Sequence, residues 1–140
     1  MRVTTDTNVL LSSSFWLGTS FTILEKVKQN ELELILSEKI INELRRVLQY
    51  EDVQKKIRDK NLQMKRTVEE IISMATIVDP KEKLDRVRDD PDDNKILECA
   101  IEGNSEYLIT NNNHLLKIKE FRGIKIIKPE EFLEIFNKSN

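Results

Sequence analysis

At 140 residues and a net charge of −2, the chain can bury one sizeable core and has no overall basicity, so any nucleic-acid surface must be local. A hydrophobic share of 39% with only three Gly and three Pro excludes a disordered or loop-rich chain, and a single Cys excludes an intrachain disulfide. No apolar run reaches the roughly 18 residues of a membrane span, and no signal pattern precedes the first strand. One domain over residues 1–140, cytoplasmic and without a membrane partner, is the expectation.

Residues 2–5 are rich in β-branched types and predict a strand that delivers Asp6 to a loop, where it is the only ionised side chain between Arg2 and Glu25. It either caps the following turn or serves a site. Ser12 to Ser14 with Gly18 predict a loop, and Thr19 or Ser20 opens a helix carrying Phe21, Leu24 and Val27. LELIL at 32–36 is a buried-type strand. Ser37 ends it and can cap a helix whose apolar positions are Ile40, Ile41, Leu44, Val47 and Leu48. Glu43 flanks that stripe instead of lying opposite it with Asn42, Arg45 and Gln49, so it either snorkels at the boundary or points into a shared polar site.

From Glu51 to Arg66 the chain is strongly charged, with Lys55, Lys56, Arg58, Lys60, Lys65 and Arg66. Helices with a solvated basic face are expected, a face that can also hold phosphates. Val68, Ile71, Ile72 and Ala75 continue an amphipathic helix, Thr76 to Val78 form a short strand, and the sign-alternating stretch 81–90 is a loop.

That loop enters RDDPDDNKILECA, Arg88 to Ala100, where Asp89, Asp90, Asp92 and Asp93 crowd around Pro91. Pro91 forces the preceding residue out of helical geometry, and Asp92 or Asp93 can cap a helix with Ile96, Leu97, Ala100 and Ile101 on one face and Gly103 as its stop. Capping needs one Asp or two. Four repel one another unless something positive sits against them, most simply a divalent cation. An EF-hand loop is excluded: Asp90, Asp92 and Asn94 match its first ligands, but Lys95 stands where the turn Gly belongs and Ile101 where the bidentate Glu belongs.

Cys99 falls within the helix as a small buried residue, consistent with a reducing compartment. Tyr107 to Thr110 predict another buried strand, Asn111 to Asn113 a turn, and His114 a solvent-facing or capping residue before a short helix. Ile124 to Ile127 form a strand, and Pro129 with Glu130 and Glu131 opens a last helix carrying Phe132, Leu133 and Phe136.

Strands alternating with helices, several continuously apolar, imply an α/β fold: three layers, α/β/α, around a mainly parallel sheet of about five strands. In such folds functional groups gather at the carboxyl ends of the strands. Asp6, Glu43, Asp93, Thr110 and Asn112 share that edge by topology, and their hard oxygens select Mg²⁺ or Mn²⁺ over zinc.

Four motifs in order, DTNVLLSS at Asp6, Ser37 to Leu44, Asp90 to Ala100, and YLITNNNHLL from Tyr107, make nearly the whole chain resemble the PIN-domain ribonucleases (PilT N-terminal-like). Within them it is most similar to the stand-alone toxin components of toxin–antitoxin systems. The resemblance implies metal-assisted hydrolysis of single-stranded or structured RNA with one or two Mg²⁺ or Mn²⁺ ions. Asp6, Glu43 and Asp93 then occupy the positions of the catalytic, metal-binding acids, Asn8 that of a polar neighbour, and Thr110 that of the Ser/Thr ahead of a fourth acid. That fourth acid is Asn112 here, which can still ligate or orient a water but carries no charge, so a weaker second metal site is implied, and with it either reduced activity or compensation by Asp90 or Asp92. Arg45, Arg46, Lys55, Lys56 and Arg88 are the candidate RNA contacts. The same resemblance implies an antitoxin partner and a homodimer.

The alternative from another class is a degenerate PIN fold that docks RNA or a partner without chemistry, and Asn112 is its support. A haloacid-type phosphatase is excluded because Asn8 stands where its second Asp belongs. The Lys of a phosphoacceptor receiver domain has no counterpart either.

Overall fold

Strand β1 (Arg2–Thr5) has a parallel neighbour on each side, and the sheet grows outward from it. The computed structural model describes residues 1–15, 18–47 and 63–139, with side chains over 1–11, 18–47 and 68–139. After β1 come α1 (Thr7–Phe15), α2 (Thr19–Lys28), β2 (Glu33–Ser37), α3 (Glu38–Val47), α4 (Gln63–Met74) and β3 (Thr76–Val78). A 3₁₀ turn (Pro91–Asp93) then leads into α5 (Asn94–Glu102), β4 (Tyr107–Ile109), α6 (Asn113–Leu116), β5 (Glu120–Phe121), β6 (Ile124–Ile127) and α7 (Pro129–Ser139).

The six strands lie in the order β3-β2-β1-β4-β6-β5, all parallel except the β5–β6 pair. The sixth strand beyond the expected five is β5, two residues long. It pairs across Arg122-Gly123, whose φ values of 50° and 86° are those of a type I′ hairpin turn. Arg is not a usual first residue of that turn, which is why the letters concealed it.

Strand order reverses between β1 and β4. The chain leaves β1 toward β2 and β3 on one side, then returns through α5 to β4 on the other. A crevice opens at the carboxyl ends of two strands whose connections diverge in this way. Register aligns Thr5 with Ile109, so the next residues, Asp6 and Thr110, leave the sheet side by side. Leu34, Ile35 and Leu36 are all but fully buried, as expected of a parallel strand covered on both faces.

Two expectations are corrected. Ser12 to Ser14 lie in α1 and not in a loop. Packing of Val9 and Leu10 in the core, with a cap from Asp6, overrides the weak helix preference of serine. Nor does Asp93 cap α5 with its side chain; the helix is entered through the 3₁₀ turn, and neither Asp90 nor Asp93 makes a capping hydrogen bond. Leu48 and the side chains of the basic run 51–66, Lys55 and Lys56 among them, lie outside the described residues.

The irregular stretch before α5 is held by one face of that helix. Asn94 Oδ1 accepts from the backbone N–H of Arg86 (3.0 Å) and Val87 (2.8 Å), Glu98 Oε2 from Leu84 (2.8 Å), and Glu102 Oε1 from Lys81 (2.9 Å). These positions recur every four residues, one above another along the helix, so side chains satisfy backbone groups that have no strand or helix to join. Asn94 also donates to Val87 O and Pro91 O, which pins the acidic cluster itself. Among the described residues no helix is long and apolar enough to cross a membrane.

At the other end of α5, a Cβ added to Gly103 would lie 2.2 Å from Ile35 Cγ2, so the helix terminus touches the sheet where only glycine fits. Gly103→Ala is expected to cost about 1–3 kcal/mol through overpacking, read as a lower urea midpoint at unchanged slope. Cys99 is fully buried, and burial pushes its thiol up to about 12. It should stay unreactive toward a thiol reagent until the protein is unfolded.

Candidate functional site

Asp6 ends β1 and is buried, 7% exposed. Its Oδ1 accepts from Val9 N–H at 2.9 Å, a helix cap for α1, and its Oδ2 accepts from the Thr110 hydroxyl. The capping role and a place in a polar site are therefore compatible, because each uses a different oxygen. Burial pushes the Asp6 carboxyl above its usual range, and the hydrogen bonds from Thr110 and Val9 pull the other way.

The contacts continue from Thr110. Its Oγ1 accepts from Asn112 N–H at 2.9 Å, and Asn112 Nδ2 donates to Asp93 Oδ2 at 2.8 Å. Asp6, Thr110, Asn112 and Asp93 thus form one linked group at the β1–β4 crevice. Burial is also the largest cause raising the Asp93 pKa; the Asn112 hydrogen bond opposes it, and the charges of Asp90 and Asp6 add to it. The charge of Asp6 thus reaches Asp93 across the crevice.

Asn112 caps α6 by accepting from His114 N–H at 2.8 Å through Oδ1. That bond fixes which way the amide faces. Its oxygen is turned to the backbone and its N–H₂ to Asp93, so Asn112 presents a donor here, not a ligand oxygen. An Asp in this position could accept from the same N–H with one oxygen and offer the other to a cation.

The remaining candidates are distributed around this group. Glu43 Oε2 lies against the Lys95 ammonium, which also holds Asp92 Oδ2 at 2.6 Å. Asp89 pairs with Lys117 at 2.7 Å, a contact that keeps its carboxyl below the usual range. Within the acidic cluster two of four charges are therefore met by the chain's own lysines. Asp6, Asp90 and Asp93 have no Lys or Arg against them among the described residues. Asn8 is exposed in the first turn of α1. Arg45 is engaged by Glu69 through two hydrogen bonds of 3.1 and 3.0 Å, Arg46 is exposed, and Arg88 makes only a loose pair with Asp85 at 3.8 Å.

Among the described residues, no three Asp, Glu, His or Cys side chains come together as a metal-holding group. The donor set that does converge, two carboxylates raised in pKa chiefly by burial, suits a hard divalent ion and not zinc. Lys95 and Asn94 were not foreseen as parts of the site. The signal was present in DDNK: a Lys one turn beyond an Asp, and an amide behind the carboxylates.

Charge changes here should move stability in opposite directions. Asp93→Asn should raise the melting temperature of the metal-free protein at neutral pH, and Asn112→Asp should lower it, each on the order of 3 °C. A raised carboxyl pKa costs stability above its folded value, and the cost is recovered as pH falls toward the unfolded value. The gain in Asp93→Asn should accordingly shrink as pH approaches about 4. Asn112→Asp should also tighten Mn²⁺ binding, measured by calorimetry.

Residues 2–114 match the family model of the PIN domain. No curated protein matches the sequence. Among solved structures, the chain is similar to one in the crystal structure of VapBC2 from Rickettsia felis bound to a DNA fragment from their promoter. The TM-score is 0.61 at 18% identity, over 90% of this chain and 97% of that one, a likeness of fold. With the family model spanning β1 through the start of α6, the chain belongs to the PIN domain family.

Proposed function

We propose that this protein is a Mg²⁺- or Mn²⁺-dependent ribonuclease and the toxin of a toxin–antitoxin pair. The observation that carries the proposal is the convergence of Asp6 and Asp93 on the β1–β4 crevice, where neither carboxylate has a lysine or arginine against it among the described residues and His114 is the one basic group whose charge reaches Asp93. A divalent ion bound there would polarise a scissile phosphate and make a water acidic enough to attack it. Asp6 and Asp93 would hold the ion, with Asp90 the carboxylate whose charge acts most on Asp93. Thr110 fixes the rotamer of Asp6, and Asn112 fixes that of Asp93 through its amide N–H.

RNA as the substrate, with Arg46 and Arg88 as exposed contacts, follows from the sequence resemblance to PIN-domain ribonucleases. An antitoxin partner is supported by that resemblance and by the shared fold with a chain of VapBC2. A PIN-fold module that binds RNA or protein without chemistry is the second reading. The N–H₂ of Asn112 on Asp93, where an acid would offer oxygen, is what favours it.

Incubation of purified protein with single-stranded RNA and Mn²⁺ separates the two. A nuclease cleaves and leaves 5′-phosphates, and Asp6→Asn lowers the rate by at least about 100-fold with a melting temperature no lower than wild type. RNA retention with neither metal-dependent cleavage nor a Mn²⁺-dependent rise in melting temperature would establish the binding module instead.

A further inference from the structure

Four aspartates around Pro91 require positive charge, and part of it is covalently attached. Lys95 projects from the first turn of α5, and its ammonium sits between Asp92, three residues earlier, and Glu43 of α3. The Lys95 side chain is 11% exposed and that of Glu43 23%, so this pair is largely withdrawn from water, whereas Asp92 is 74% exposed. Partial burial makes the Lys95–Glu43 contact the consequential one, since separating either charge from its partner leaves the other uncompensated in a poorly solvated place.

An ammonium offers three donors and no acceptor, and its charge opposes a divalent ion drawn to the carboxylate it holds. While Lys95 holds Glu43, that carboxylate serves the lysine. The carboxylates without a lysine or arginine are Asp6, Asp90 and Asp93, on the β1–β4 side of the cluster.

We propose that Lys95 is a tethered cation standing in place of a second divalent ion, so that the site takes one ion on Asp6 and Asp93 while Glu43 is the lysine's partner. The proposal rests on the metal-dependent reading above. Lys95 is on this account a positioning residue: it orients Glu43 and limits the number of ions. Its removal takes the ammonium from between Glu43 and Asp92 and leaves Lys39 as the remaining lysine whose charge reaches that place, a surplus of carboxylate that draws in a further cation.

The test counts bound Mn²⁺ in the metal-free full chain, using the electron paramagnetic resonance signal of free aqueous Mn²⁺. Wild type is expected to saturate at one ion per chain, Lys95→Met at two, and Lys95→Arg at one. Two ions in wild type, or one in Lys95→Met, would overturn the role of Lys95 and leave the metal-dependent reading standing. No ion in either would overturn both. Should Lys95→Met fail to fold, Glu43→Gln decides. Retention of one ion with affinity changed less than about tenfold, the lower end of what an outer partner is worth, supports the proposal. Loss of the ion in Glu43→Gln makes Glu43 a ligand and refutes it.

Discussion

Burial of two carboxylates at one crevice, Asp6 and Asp93, is the constraint around which this end of the molecule is built. Each is raised in pKa by burial, and the charge of Asp6 contributes to the shift at Asp93. The protein tolerates the arrangement because every approach is scaffolded. Thr110 and Asn112 link the two side chains, and both follow β4, whose register with β1 leaves them no other neighbourhood. Strain of this kind, charge placed where a stable core would avoid it, is what a binding or catalytic site requires.

The same end shows how a chain distributes neutralisation. Lys117 meets Asp89, Lys95 meets Asp92 and Glu43, and the charges left over concentrate at the crevice. Exposed pairs such as Lys117–Asp89 contribute little to stability on their own. Their effect here is selective: they remove two aspartates from competition for a cation and leave Asp6, Asp90 and Asp93 as the unmatched set. Behind them, Asn94, Glu98 and Glu102 hold the preceding loop by its backbone, so the acidic turn is presented on a fixed frame.

Much of the fold was legible in advance because its signals are local. Leu34 to Leu36 and Tyr107 to Ile109 are continuous apolar runs, and Ile40, Ile41 and Leu44 keep helical spacing, so hydrophobic period alone assigns those elements. The misses occurred where a local signal was weak and a distant contact decided. Ser12 to Ser14 are helical because the residues before them are buried in the core, and β5 exists because Phe121 can pair with Ile124 across a tight turn. Gly103 was expected only as a helix stop; its contact with Ile35 follows from how closely α5 approaches the sheet.

The sequence by itself determined the alternation of elements, the parallel sheet and the surplus of aspartate around Pro91, because composition and spacing along the chain encode them. Tertiary structure alone decided how that surplus is balanced. The letters called for a positive charge and could not say whether an ion or a side chain would supply it. Nor could they show that the Asn112 amide turns its N–H₂ to Asp93, since the choice is made by the His114 backbone N–H at the other end of the same side chain. Which oxygen is free and which cation is near depend on positions of atoms far apart along the chain, and only the folded arrangement specifies them.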